Sequence, residues 1–211
     1  MAHRRREQSP PLIRSRPRSD SRVAAQGRGP PQGGDTEEDA LNEDLHRALN
    51  EHLTLEFAAA HHYLALSIWF ELNDLPGFAS WMKQQSQDEL GHAQRIIDHL
   101  LERDLEVTLP AIESPPTSWP STVEAVQSVM QSEQRVTRSI DRLQEKATRT
   151  GDRAASLMLD WFVAEQVEEE NAVRALLGRL RLAGDSSLGL LIVDQEMAKG
   201  SIPGAMEEPE P

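Results

Sequence analysis

The sequence predicts an all-α protein: a four-helix bundle with one long crossover and a short fifth helix at the C-terminus. Three observations carry this. Four long stretches repeat their apolar residues at spacings of three and four, the period of a helix buried along one face. No segment alternates in the manner of a strand. One connection differs from the rest in being long and rich in proline.

The elements follow in order. The first stripe runs Leu45, Leu49, His52, Glu56, Ala59, Tyr63, Leu66, Phe70. Asn73-Asp74 and Pro76-Gly77 punctuate the turn and open the second helix. Its stripe is Phe78, Met82, Gln85, Glu89, His92, Ile96, Leu100. Residues 105–120 contain Pro110, Pro115, Pro116 and Pro120, which excludes regular helix. The third stripe is Val123, Val126, Met130, Glu133, Thr137, Ile140. After a turn at Thr150-Gly151 comes the fourth: Ala155, Leu159, Phe162, Gln166, Glu169, Val173, Leu176, Leu180. Ser186-Ser187 then supply an N-cap for a short helix from Leu188 to Met197. Its Leu188, Leu190, Leu191, Ile192 and Val193 are too apolar for a free tail, so packing against another subunit is expected.

Connection lengths fix the topology. Short turns make the first and second helices antiparallel neighbours, and likewise the third and fourth. The middle connection of about 18 residues reaches about 55 Å, whereas a helix of about 27 residues is only about 40 Å long. It can run the length of the bundle and set the second and third helices parallel.

With 211 residues, 38% of them hydrophobic, one globular domain is expected over residues 41–200. Residues 1–40, rich in Arg, Pro, Ser, Gly and Gln, are expected to be a disordered basic extension, and 201–211 a flexible tail. No apolar run approaches the roughly 20 residues that span a bilayer. A soluble protein with no membrane partner is expected, cytoplasmic unless residues 1–34 are a plastid transit peptide. A functional tail that touches nucleic acid, or an inert segment, remain the alternatives for that stretch. Cysteine is absent, which excludes disulfides, iron–sulfur clusters and thiolate zinc sites. Residues 1–34 carry eight arginines against Glu7 and Asp20, a balance of +6, so the total of −13 leaves −19 for the remainder. That field attracts small cations and repels nucleic-acid phosphates.

Each of the four stripes carries one carboxylate among apolar neighbours: Glu56, Glu89, Glu133 and Glu169. An unpaired buried carboxylate costs several kcal/mol, so a cation must lie between them. In an antiparallel pair, residues equidistant from the turn share one height. Glu56 and Glu89 have their midpoint at 72.5, and Glu133 and Glu169 theirs at 151, both inside turns. All four carboxylates therefore lie at one level, with His92 one turn from Glu89 on the same face. Four carboxylates and one imidazole carry −4, which two divalent cations neutralise. Oxygen ligands with one histidine suit iron or manganese better than zinc or copper.

Other groups lie nearby. Glu165, Glu168 and Glu169 share a face, and Asp88 precedes Glu89; these acids form either a third cation site or a solvated acidic face. Tyr63, two turns after Glu56, is either an electron or hydrogen-bond donor or a plain core tyrosine. Trp161 reads first as core, and His46, His61, His62 and His99 as surface or core histidines.

These residues resemble the bacterial ferritins across roughly residues 41–197. The matching stretches are Leu55-Glu56 with Tyr63, Asp88-Glu89-Leu90-Gly91-His92, Ser132-Glu133-Gln134, and Trp161 through Glu169. The resemblance implies a ferroxidase centre in which Glu56, Glu89 and His92 hold one iron. Glu133 and Glu169 hold the second, with Glu89 bridging. Asp88, Glu165 and Glu168 would make a third iron site, Asp88 being shorter than the glutamate often found there. Haem is not expected, because Leu90 stands where a bacterioferritin has its haem-ligating methionine, and Ala172 replaces the histidine of a second Glu-x-x-His. The function implied is iron storage: Fe(II) oxidised by O2 or peroxide, and Fe(III) kept as a hydrated oxide in a homo-oligomeric cage of 24 subunits. A di-iron oxidase or peroxide-detoxifying protein without mineral storage is the alternative.

Overall fold

The computed structural model describes residues 37–200. Within them are five helices: α1 (Glu37–Leu72), α2 (Pro76–Leu101), α3 (Thr122–Thr150), α4 (Arg153–Ala183) and α5 (Ser187–Ala198). The first therefore begins ahead of the expected start at residue 41. The rest of the expected basic extension, with its transit-peptide and nucleic-acid readings, lies outside the described residues, as does the tail 201–211. No described helix is long and apolar enough to cross a membrane.

Local chemistry sets the boundaries. Ser121 caps α3 by accepting from the Glu124 N–H at 3.2 Å, and its hydroxyl donates to the Glu124 carboxylate at 3.3 Å. Gly151, at φ 68°, ends α3 in the left-handed conformation that glycine adopts without strain. Asp152 accepts from the Ala155 N–H at 3.0 Å to begin α4 and pairs with Arg103 at 2.7 Å. Ser186 caps α5 through the Gly189 N–H at 3.1 Å. No side chain of its own turn caps α2. Asp194 of α5 does so instead, accepting from the Phe78 N–H at 3.0 Å.

Helix α1 packs beside α2 and α3, α3 beside α4, and α5 across α2 and α4. Contacts between α1 and α3 run in opposite senses: His52 meets Ser139, Tyr63 meets Glu133 and His62 meets Ser128. Those two helices are antiparallel, which leaves α2 and α3 parallel. The crossover, residues 102–121, is fastened to α1 at both ends. Asn50 accepts from the Thr108 N–H at 2.7 Å, while Asn50 Nδ2 donates to the Glu106 carbonyl at 3.1 Å; His46 Nε2 also lies 2.7 Å from that carbonyl. Further on, Trp119 stacks edge-on against Trp69 and His62, at 5.6 and 5.8 Å. From Asn50 to Trp69 is about 28 Å of helix, so the crossover travels along the bundle as its length requires.

Helix α5 faces its own bundle more than was expected. Val193, Asp194 and Met197 are buried, and Gly77 lies so close that a Cβ on it would fall 1.9 Å from the Asp194 carbonyl oxygen. Leu188, Leu191 and Ile192 remain on the open side. Alternation of inward and outward residues around a helix accounts for the division.

The core falls into two apolar blocks, each contributed by all four long helices. One gathers Leu66, Phe70, Phe78, Met82, Val126 and Leu176; the other Leu49, Leu53, Ile96, Ile140, Leu143 and Phe162. Between them lies a layer of polar side chains, buried but for a partly exposed Glu169.

Candidate metal centre

That layer consists of Glu56 from α1, Glu89 and His92 from α2, Glu133 from α3 and Glu169 from α4. Ligand atoms of Glu56, Glu89 and His92 lie within 4.8 Å of one another, and so do those of Glu89, Glu133 and Glu169. Glu89 belongs to both groups. His92 Nδ1 lies 3.2 Å from Glu89 Oε2 and 3.9 Å from Glu56 Oε2, and its Nε2 lies 3.9 Å from Glu169 Oε1.

One oxygen each of Glu56, Glu89 and Glu169 is buried without a hydrogen-bond partner: Oε2, Oε1 and Oε2 respectively. Buried polar atoms almost always find partners. Three orphaned carboxylate oxygens beside an imidazole, contributed by three helices, have the chemistry of a cation site.

Electrostatics agree. Burial, then the charges of Glu133, Glu169 and Glu56, pushes Glu89 well above the usual carboxylate range. Burial, then Glu133 and Glu56, does the same for Glu169. Burial raises Glu133 to about 7 against the lowering effect of its bonds to Tyr63 and Gln166. Glu56 is the exception: burial would raise it, but the charge and hydrogen bond of His52 hold it below the ordinary value. Burial also lowers His92, keeping its imidazole neutral and able to coordinate.

Around these groups stands a ring of partners. Tyr63, fully buried, donates its hydroxyl to Glu133 Oε1. Gln166 Nε2 lies 3.2 Å from Glu133 Oε2, from the Glu133 carbonyl and from Thr137 Oγ1. His52 Nε2 lies 2.6 Å from Glu56 Oε1. His52 and Gln166 lie on the apolar stripes of their helices, a placement that by itself gives neither a role. The signal was available: each is a polar residue in an apolar stripe, one turn before a clustered glutamate.

Asp88, Glu165 and Glu168 do not converge as the other two groups do. They are still close enough to interact, since Glu165 is raised by burial and by the charges of Glu168 and Asp88, with Arg95 opposing. Asp88 accepts from Gln84 at 2.9 Å. Arg95 lies 4.0 Å over the Trp161 ring, which is edge-on to His92 at 5.4 Å. Elsewhere, His62 Nε2 lies 2.9 Å from Ser128 Oγ, and burial lowers His62 to about 4. Arg103 Nη1 donates to His99 Nε2 at 3.2 Å.

A family model described as "Ferritin-like domain" matches residues 46–183. The chain belongs to the ferritin family. A bacterial non-heme ferritin of Bacteroides fragilis is 33% identical over 75% of this chain and 99% of its own length. One of Staphylococcus saprophyticus is 35% identical over 76% and 96%. Among solved structures, an open pore ferritin from the archaeon Archaeoglobus fulgidus superposes with a TM-score of 0.72 at 38% identity, covering 74% of this chain and 96% of that one. Family and fold support iron storage as the general role of this ferritin, and the two carboxylate and histidine groups are its candidate iron site.

Proposed function

We propose that this ferritin takes up Fe(II) in pairs, oxidises it with O2 or peroxide, and stores the Fe(III) as a hydrated oxide inside a cage of 24 subunits. The observation that carries the reading is that Glu56, Glu89 and Glu169, the three carboxylates around His92, each keep one buried oxygen without a partner. Glu56, Glu89 and His92 hold the first Fe(II); Glu133 and Glu169 hold the second; Glu89 bridges. Each Fe(II) gives up one electron, and O2 accepts the two with two protons to leave as hydrogen peroxide. Glu89, Glu133 and Glu169 hold protons in the metal-free centre and release them as the cations bind. Tyr63 steadies Glu133 through its hydroxyl. A third iron position would use Asp88, Glu165 and Glu168, an acidic approach to the pair.

Exposed apolar residues support assembly: Leu64, Ile68 and Leu72 along α1, and Leu188, Leu191 and Ile192 on α5. Leu90 and Ala172 support a cage without haem, and the bacterial relatives a cytoplasmic location. The test is aerobic Fe(II) addition followed by size-exclusion chromatography, with iron and protein measured in each fraction. Iron eluting with a cage-sized species is expected. Rapid oxidation without co-eluting iron would favour an oxidase without storage, and no oxidation would overturn the reading.

A further inference from the structure

Directly behind Glu56 sits a histidine with no solvent exposure. His52 lies one turn earlier on α1, edge-on to Phe162 at 6.3 Å. Its Nε2 is 2.6 Å from Glu56 Oε1, and its Nδ1 is 2.8 Å from Ser139 Oγ on α3. A carboxylate can only accept, so Nε2 carries a hydrogen toward Glu56, while Nδ1 shares a hydrogen bond with the serine hydroxyl. Both ring nitrogens are thereby used, and the imidazole is tied to two helices.

The consequence falls on Glu56. With Oε1 taken by His52, Oε2 is left unpartnered, 3.9 Å from His92 Nδ1. We propose that His52, anchored by Ser139, is a positioning residue that turns Glu56 so that Oε2 alone faces the metal position shared with Glu89 and His92. Glu56 then contributes one oxygen rather than two. A carboxylate free to swing would chelate with both oxygens and fill a coordination place that a catalytic metal keeps open for its reactant. Partners of this kind orient metal ligands, and their loss typically costs about 10- to 100-fold in affinity or activity.

This rests on the paired-metal reading above, and the experiment separates the two. Full-length protein is titrated with Co(II), a redox-stable probe whose visible absorption reports coordination number and geometry. Wild type is compared with His52→Leu, His52→Gln and Ser139→Ala. Wild type is expected to bind two Co(II) per subunit. His52→Leu should weaken one of the two steps by about 10- to 100-fold and alter the spectrum of that ion alone. Glutamine, which can offer an N–H in the place of Nε2, should restore both. Ser139→Ala should weaken the same step without lowering the thermal midpoint much, and it carries the test if the leucine variant fails to assemble. Wild-type affinities and spectra in His52→Leu, or in Ser139→Ala where only that variant folds, would overturn the assignment. So would a defect in His52→Leu that glutamine does not repair. Wild type that binds no pair of Co(II) would reject the paired-metal reading itself, and this inference with it.

Discussion

Tyr63 gives its hydroxyl hydrogen to Glu133, so the only tyrosine of the chain is built into the carboxylate layer. Removing that donor leaves a buried carboxylate with one bond fewer. Such a bond to a charged acceptor is worth about 1.5–3 kcal/mol, which corresponds to roughly one to two pH units of proton affinity. Tyr63→Phe is expected to move the pH of half-maximal Zn(II) binding upward by about one unit. Isothermal titration across pH 5.5 to 8 checks this, and an unmoved midpoint would show that the bond contributes nothing to the centre.

Glu89 is the one residue common to both ligand groups. Glu89→Gln should abolish binding of the cation pair, whereas Glu56→Gln and Glu169→Gln should each weaken one of the two. In metal-free protein the effect reverses, because burial and Glu133 force wild-type Glu89 to take up a proton on folding at pH 8, whereas glutamine is neutral in both states. A rise in thermal midpoint of a few degrees is expected at pH 8, equivalent to about 1–3 kcal/mol. Calorimetry with and without Zn(II), at fixed protein concentration, reads both effects.

Glu133 supplies a pH dependence of known sign. Its carboxyl is raised from 4.5 to about 7, so between those values the folded chain holds a proton that the unfolded chain has lost. Stability therefore falls as pH rises through that window, by roughly 3 kcal/mol in full. Glu133→Gln lacks this proton. The difference in thermal midpoint between the metal-free variant and wild type should widen in the variant's favour from pH 5 to pH 7.5. Saturating Zn(II) should shrink it by stabilising wild type selectively.

Gly77 tests the docking of α5. A Cβ there would lie 1.9 Å from the Asp194 carbonyl oxygen, so Gly77→Ala must displace backbone. The expected cost is about 1–3 kcal/mol, accompanied by release of α5. Limited proteolysis should then cut near residues 184–187 faster than in wild type. Asp194→Asn, which weakens the cap on α2 without a clash, should give a smaller effect of the same kind.

Most of the architecture was legible because it follows from period and punctuation. Four stripes spaced by three and four became four long helices; Pro110 through Pro120 marked the crossover; equal distances from two turns set Glu56, Glu89, Glu133 and Glu169 at one height. What escaped depends on rotamers and on distant contacts. Spacing puts His52 and Gln166 on the inward faces, but it does not say that their side chains reach Glu56 and Glu133. Asp194 caps a helix 116 residues earlier in the chain, and no local pattern announces that. For the same reason composition alone sends Leu188, Leu190, Leu191, Ile192 and Val193 toward another subunit, although Val193 is buried against its own bundle.

The two apolar blocks also constrain how the chain folds. Each takes side chains from all four long helices, so neither can be completed by the α1–α2 hairpin or the α3–α4 hairpin alone. The hairpins are local and quick to form, while their docking must wait for the crossover to close. The slow step of folding is therefore expected to be the meeting of two preformed hairpins. Its rate should respond to the fastening of the crossover at Asn50 and Trp119 more than to helix propensity anywhere in the bundle.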